Sequence, residues 1–296
     1  MTNKRSYTFG VITTVAKEIF RSAYHREILA GLFDRVGRLG HTLSFVIYRP
    51  GKYRRLEDLL QTYGGVDGFF MIAWRWFDPH LLTLIKKSPG KSPLVLFNDY
   101  EPGLRTSILY TDVAEGMEKA VSYLCGKGHR RIAAIHGPSV IPFRTSGGRV
   151  RIPFIDVREK VRGFERALRK RKINVPKDWL LCSEAYTIEE GYRLGKQLLQ
   201  GKERPEAVVC GNDDLAAGAL QALKESGLQC PGDVAITGFD DTERASLTSP
   251  QLTTLAQPLF QMGQDAVDIL IRKLRHTSAK SVAKRYLTRL VPRASA

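Results

Sequence analysis

The sequence predicts an α/β protein made of two successive doubly wound, parallel-sheet units, and three observations lead there. Short β-rich runs alternate with longer helical patterns along nearly all of the 296 residues. The alternation runs once from about residue 8 to residue 111 and then begins again. Hydrophobic residues make up 43% of the chain, which suits one large or two ordinary domains and excludes a disordered chain.

In the first unit, residues 8–13 read as a strand. Residues 23–39 read as a helix, because Ile28, Leu29, Leu32, Val36 and Leu39 share one face and Gly40 ends it. A strand at 43–48, a helix at 56–63, a strand at 68–73, a helix at 80–87 and a strand at 94–98 behind Pro93 complete the unit. After a strand at 108–111 the second unit reads as helix 112–127, strand 132–136, helix 156–170, strand 179–182 and helix 187–200. It continues with strand 207–210, helix 213–226 ended by Gly227, and strand 234–239. A helix at 258–275 and a final strand near 286–291 follow. The segment 139–155 holds Gly147 and Gly148 among Arg144, Arg149 and Arg151, and is expected to be a flexible basic loop.

The apolar runs are far shorter than the roughly 20 residues a membrane-crossing helix needs, so no membrane partner is expected. The first residues are polar and lead straight into a strand, so no export signal is expected and a cytoplasmic location follows. Cys125, Cys182, Cys210 and Cys230 are widely spaced, with no C-x-x-C pair or neighbouring His cluster, and suggest reduced thiols rather than a disulfide framework or a metal. No cofactor is expected.

The net charge of +16 invites a nucleic-acid reading. Four bases lie in 49–55, eight lie in 272–293 without an acid, and eleven lie in 144–172 against Asp156, Glu159 and Glu165. Arg158, Arg162, Arg166 and Arg169 fall at helical spacing and form either a solvated basic face or a contact to DNA, an acidic partner or an anionic ligand.

In open α/β sheets ligands sit beyond the carboxyl ends of the strands, so polar residues just after each strand are the first site candidates. Asp240 follows 234–239 and can accept two hydroxyl hydrogen bonds; Asp241 beside it braces the loop. Asn212 follows 207–210 and either contacts a ligand or caps the next helix. From the first unit come Thr14, Tyr24, Trp74, Trp76 and Asn98. Exposed indoles commonly stack on sugar rings, although Trp76 could equally pack the lobe or a dimer surface.

Several motifs, in order and at matching spacing, carry a resemblance: "FGVI" at 9–12, "VDGFFM" at 66–71, "GHRRIAAIHGP" at 128–138, "REKVRGFERAL" at 158–168, "GNDDLAAGALQAL" at 211–223, "PGDVAITGFDD" at 231–241 and "LTTLAQP" at 252–258. Together they resemble the effector domains of the LacI/GalR transcriptional regulators, from about residue 8 to 291. The resemblance implies a periplasmic-binding-protein-like fold whose two lobes are joined by three crossings, with a small-molecule site in the interlobe cleft and homodimerisation through both lobes. The lobes are then 6–111 with 258–286, and 112–257 with 287–294, after a short remnant at 1–5. No helix-turn-helix precedes the first strand, so a sensing module without its DNA-reading headpiece is expected, reaching operator DNA only through such a headpiece.

By the same resemblance Arg158 occupies the place of the family's ligand-binding arginine, with a surface ion pair to Asp156 or Glu159 as the alternative. Gln257 matches a position that reaches the ligand or braces the hinge. Tyr186 falls where the family often places an aromatic residue, lining the cleft or packing in the core. Asn98 stands where many relatives have Asp, which leaves room for an acidic as well as a neutral sugar. The loop 139–155 would then lie beside Arg158, either covering a ligand or forming a surface insertion.

An enzyme is the first competing class, since Asp240–Asp241 are paired carboxylates and Glu184, Glu189 and Glu190 lie close together in sequence. No phosphate-binding, zinc-hydrolase or serine-hydrolase motif accompanies them. A stand-alone or transport-associated solute-binding protein is the second, and it needs an export signal or lipid anchor. The expected mechanism is lobe closure by a small effector, expected to be a carbohydrate, that binds two dimer arrangements unequally.

Overall fold

Residues Thr8–Thr13 form the first strand, β1, whose last five residues are buried, the pattern of a parallel strand covered on both faces. The computed structural model describes residues 5–13, 16–49, 52–72, 80–87, 93–145, 148–201, 203–276 and 278–296. After β1 come helices α1 (Ala16–Arg21) and α2 (Ala23–Arg38), parted at Ser22, whose hydroxyl caps α2 by accepting from the His25 N–H. The sequence reading contained α2 but not the six-residue α1. Strand β2 (Thr42–Ile47), α3 (Leu56–Thr62), β3 (Gly68–Met71), α4 (Leu81–Lys87), β4 (Leu94–Phe97) and β5 (Ser107–Thr111) follow.

The chain continues through α5 (Val113–Gly126), β6 (Ile132–His136), β7 (Val140–Thr145), β8 (Gly148–Pro153), α6 (Ile155–Lys170), β9 (Leu180–Cys182) and α7 (Ile188–Leu199). Then come β10 (Ala207–Cys210), α8 (Asp213–Glu225), β11 (Ala235–Thr237), α9 (Glu243–Leu247), β12 (Thr254–Ala256), α10 (Leu259–Arg275), β13 (Ala283–Tyr286) and β14 (Arg289–Val291).

Two compact units result. The first is Met1–Tyr110 with Pro142–Ile152 and Pro258–Tyr286, and the second is Thr111–Ile141 with Pro153–Gln257 and Leu287–Ala296. The first contains a six-stranded sheet in the order β2-β1-β3-β4-β5-β13, and the second a four-stranded parallel sheet in the order β9-β6-β10-β11. Counted along the chain within each unit, both sheets begin 2-1-3-4, the doubly wound order whose switch point lies between the first and third strands.

Each sheet is covered on both faces, because successive side chains point to opposite sides. In the first unit Phe70 joins Phe9, Ile28 and Leu270 on one face, while Phe69 and Met71 join Ile12, Leu56 and Leu81 on the other. In the second, Ala133 and Ile135 pack with Leu194, Leu215 and Leu223 against α7 and α8; Ile132 and Ala134 pack with Met117, Phe164 and Phe239 against α5 and α6. No helix among the described residues is long and apolar enough to cross a membrane.

Three sequence expectations are corrected. The segment 139–155 is not an open loop but holds a two-stranded ribbon, β7 with β8, in which Gly148 (φ +115°) takes a left-handed conformation at the start of β8. Its β-branched residues, Val140, Ile141, Val150 and Ile152, favour extended backbone, which pairing with a neighbour satisfies. Residues 142–152 group with the first unit, whereas the expected bounds put 112–257 in the second. The single strand expected at 286–291 is two, because the chain passes from one unit to the other between Tyr286 and Leu287. Strand β13 completes the first unit's sheet, and β14 pairs antiparallel with β12.

Candidate functional site

In the second unit, the carboxyl ends of β6 and β10 flank the switch point, and the polar residues that follow the strands meet there. His136 ends β6 and Gly137 follows it, Ser183 follows β9, Gly211 to Asp213 follow β10, and Phe239 to Asp241 follow β11. Helix α6 adds Asp156 and Lys160, one turn apart on the same side.

The centre of this group is Lys160, a lysine that is 3% exposed. Its Nζ lies 2.9 Å from Asp156 Oδ2 and donates to the Gly211 carbonyl at 2.9 Å. It also stands 4.5 Å from the centre of the Phe239 ring and 5.7 Å from that of Tyr186. The Tyr186 hydroxyl donates to Asp156 Oδ2 at 3.3 Å. A Cβ on Gly137 would run into the Tyr186 ring, so the absence of a side chain there is what lets the ring lie over the end of β6.

Residue Asp240 is buried and held in the left-handed region (φ +106°), a strained conformation for a residue with a side chain. It accepts a 2.7 Å hydrogen bond from Gln257 Nε2, and its backbone bonds to Leu255 and Gln257. Burial pushes its carboxyl well above the usual carboxylate range; the charge of Lys160 pulls the other way, and the neighbouring Asp213 adds to the rise. Burial also raises Asp213, to about 6, although its oxygens accept from Thr254 Oγ1 (2.6 Å), Thr242 N (2.8 Å) and Thr242 Oγ1 (3.0 Å). Asp241 forms a 2.6 Å ion pair with Arg293 and so braces the loop.

Four polar side chains at or near this end have buried atoms with no hydrogen-bond partner among the described residues: both ring nitrogens of His136, Ser183 Oγ, Thr237 Oγ1 and Gln257 Oε1. Each such group costs on the order of 1–3 kcal/mol, so their concentration marks a place where stability has yielded to another demand. Burial, with the nearby Lys160 charge, pushes His136 down to about 3, which keeps its imidazole neutral.

Of the residues singled out in the sequence, Asp240, Gln257, Asn212 and Tyr186 belong to this end of the second unit. Asn212 caps α8, its Oδ1 accepting from Leu215 N at 2.8 Å, while its amide nitrogen makes no hydrogen bond among the described residues. Arg158 is not part of the cluster. Its side chain is 58% exposed and lies 3.3 Å from Glu159. The reason is helical phase: with about 100° per residue, position 158 lies about 200° from Asp156, while position 160 returns to within about 40° of it. Lys160 was missed in the sequence, although it lies four residues before Phe164 on the buried face of α6.

In the first unit, Asn98 and Asp99 both take positive φ (54° and 49°) directly after β4 and the buried Phe97, as Asp240 and Asp241 (106° and 58°) do after Phe239. The same strand-end device thus occurs in both units. Tyr24 is half-buried on α2 against His25. Thr14, Trp74 and Trp76 lie outside the described residues.

Comparisons with known proteins agree with this architecture. Residues 121–296 match the family model described as a periplasmic binding protein-like domain. The chain is 29% identical to the ribose operon repressor of Escherichia coli (strain K12) over 99% of this chain and 83% of that protein. It is 34% identical to the HTH-type transcriptional repressor PurR of Shigella dysenteriae serotype 1 over 97% of this chain and 79% of that one. Among solved structures, a LacI family transcriptional regulator from Enterococcus faecium with bound ribose is 25% identical, with a TM-score of 0.75 over 97% of this chain and 98% of that one. The lac repressor dimer bound to operator has the same fold, with a TM-score of 0.77 at 22% identity over 99% and 95% of the two chains. The repeated parallel-sheet unit, the polar strand ends and these relatives lead to one conclusion: the chain belongs to the LacI/GalR family and is a ligand-sensing, periplasmic-binding-protein-like effector domain.

Proposed function

We propose that the carboxyl end of the second unit's sheet binds a neutral sugar, and that occupancy of this site sets the affinity of the regulator for its operator. The observation that carries this reading is the set of Lys160, Asp156, Asp240 and Gln257 at the switch point, in which Lys160 and Asp240 are buried. Asp240 can accept and the Asn212 amide nitrogen can donate, while Gln257 Oε1 has no donor among the described residues, a set that suits adjacent hydroxyl groups. Three carboxylates, those of Asp156, Asp213 and Asp240, stand against one lysine, and Lys160 already serves Asp156 and Gly211. That balance disfavours a carboxylate or phosphate on the ligand.

The same groups bind rather than react. His136 makes no hydrogen bond among the described residues and is held neutral, so it is neither positioned against a nucleophile nor able to shuttle protons. The regulator acts in the cytoplasm as a homodimer, with Phe20 and Phe33, both 47% exposed and in ring contact with Phe45, as the surface that a second copy covers. A thermal-shift screen of neutral pentoses and hexoses beside their phosphorylated and carboxylated counterparts tests the ligand class. Stabilisation by a neutral sugar alone is expected; stabilisation by the anionic forms alone would overturn the reading.

A further inference from the structure

The formal surplus of +16 is not shared between the two units. The first holds 25 of the 46 Lys and Arg but 11 of the 30 Asp and Glu, and the second holds 21 and 19. The first unit therefore carries +14 and the second +2.

Within the first unit ten of the 25 bases, against four acids, lie along one edge. Strands β1 to β5 are parallel, so the residues just ahead of them, including Arg5 before β1 and Arg105 before β5, mark the amino-terminal edge of the sheet. Helices α2 and α4 return the chain to that edge and end there with Arg35, Arg38, Lys86 and Lys87 in their last turns. Helix α10 runs in the same direction as α2, since Gly263 abuts Ile28 and Asp268 meets Arg35; its last turn holds Arg272, Lys273 and Arg275. The chain beyond α10 is tied to the same edge, with Ser281 Oγ donating to the Arg105 carbonyl at 2.5 Å and Val282 N to Ser107 Oγ at 3.2 Å.

The carboxylates that meet these bases are already engaged: Asp67 with Arg5, Asp34 with Arg38, Asp268 with Arg35 and Glu101 with Lys86. Five exposed bases, Lys87, Arg105, Arg272, Arg275 and Lys280, have no carboxylate partner among the described residues. Compensation of helix dipoles explains only part of this. Three helix ends offer roughly half a negative charge each, about one and a half in all. Among the described residues, the exposed large apolar side chains of the unit, Phe20, Phe33, Ile47, Tyr100 and Phe260, lie outside the last turns of these helices, so the described edge shows none of the apolar insertions that hold a protein on a lipid surface.

We propose that this amino-terminal edge of the first unit is a contact surface for the phosphate backbone of duplex DNA. It reads no sequence and adds salt-dependent affinity to whatever reads the operator. The inference rests on the proposed regulatory function for its choice of duplex DNA among polyanions. Five neutralised phosphates give a slope of log K against log salt of about −4.5, so a fourfold rise in salt weakens binding about 500-fold.

The test is fluorescence anisotropy of a labelled duplex of arbitrary sequence with the full chain over a salt series. Two variants are compared: Lys87, Arg105, Arg272, Arg275 and Lys280 changed to Gln together, and, for an equal loss of charge in the second unit, Arg158, Arg162, Arg166, Arg169 and Lys170 changed to Gln. The unaltered chain and the second-unit variant are expected to share the steep slope. The edge variant should bind at least about 100-fold more weakly at low salt with a flattened slope, and the subsets Lys87/Arg105 and Arg272/Arg275/Lys280 should each remove a proportional share. Equal losses in both variants, no duplex binding by the unaltered chain at low salt, or edge-dependent binding to phosphatidylserine vesicles in place of duplex would overturn the proposal. Sugar binding measured on the same samples separates the two readings. Edge-dependent DNA binding without any sugar response overturns the sensing site and leaves the DNA surface standing; the converse overturns only the DNA surface.

Discussion

Replacing Lys160 by Met keeps most of the side-chain volume and removes the charge, so the cavity left behind is small and the cost is electrostatic. In the wild type the ammonium group is 2.9 Å from both Asp156 Oδ2 and the Gly211 carbonyl, inside a site where the lysine is 3% exposed. Removing one member of a buried ion pair typically costs 3–5 kcal/mol, chiefly because the other is left buried and charged. Asp156 retains the Tyr186 hydroxyl and some solvent, with 16% of its side chain exposed, which places the expected loss near the lower end, about 3 kcal/mol. Equilibrium urea unfolding of Lys160→Met, followed by circular dichroism, measures it. A double-mutant cycle with Asp156→Asn should show coupling of about 1–3 kcal/mol, since each change removes what the other was paired with. A loss below about 1 kcal/mol, or an Asp156→Asn change that costs the same with and without Lys160, would refute the buried pair as the organising contact.

Other outcomes follow from the same geometry. Asp213 is raised to about 6, so the folded state binds its proton more tightly than the unfolded chain; its contribution to stability is fully present below about pH 4 and is lost as pH rises through 6. Comparing wild type with Asp213→Asn by urea unfolding from pH 4 to 7 should reveal a pH-dependent difference of about 2–3 kcal/mol, and parallel curves would count against the assignment. The raised Asp240 carboxyl accepts ligand hydroxyls best when ionised, so sugar affinity should rise with pH in the wild type and lose that dependence in Asp240→Asn. Gly137→Ala should displace the Tyr186 ring and weaken sugar binding about tenfold or more, readable by calorimetry. Phe164, fully buried between α5 and α6, should cost about 3–5 kcal/mol on change to Ala.

Much of the architecture was legible because alternating strands and helices carry distinct periodicities, and because helix faces such as Ile28, Leu32 and Val36 repeat at 3–4 residues. Asp240 and Asn212 were legible for a topological reason, since polar residues after a strand fall at the ligand-binding end of a parallel sheet. Lys160 was not, because a lysine on an apolar helix face looks like surface until the helix phase is drawn through Asp156 and Phe164. His136 and Thr237 read as ordinary strand residues, and only tertiary packing turns their polar atoms into unpartnered ones. The ribbon β7–β8 was hidden by glycine and arginine, which mark loops by composition, while pairing between neighbouring strands depends on partners that no local pattern displays. The concentration of charge on the first unit was equally invisible along the chain, since it needs residues 272–286 to join a body begun at residue 1.

The most direct test of the sensing site is calorimetry of a neutral sugar, chosen from the screen, with Asp240→Asn and Arg158→Ala beside the wild type. Asp240→Asn is expected to weaken binding by about 2 kcal/mol or more, through loss of a charge-assisted hydrogen bond, while exposed Arg158→Ala leaves it unchanged. Weakened binding in Arg158→Ala with full binding in Asp240→Asn would contradict this expectation.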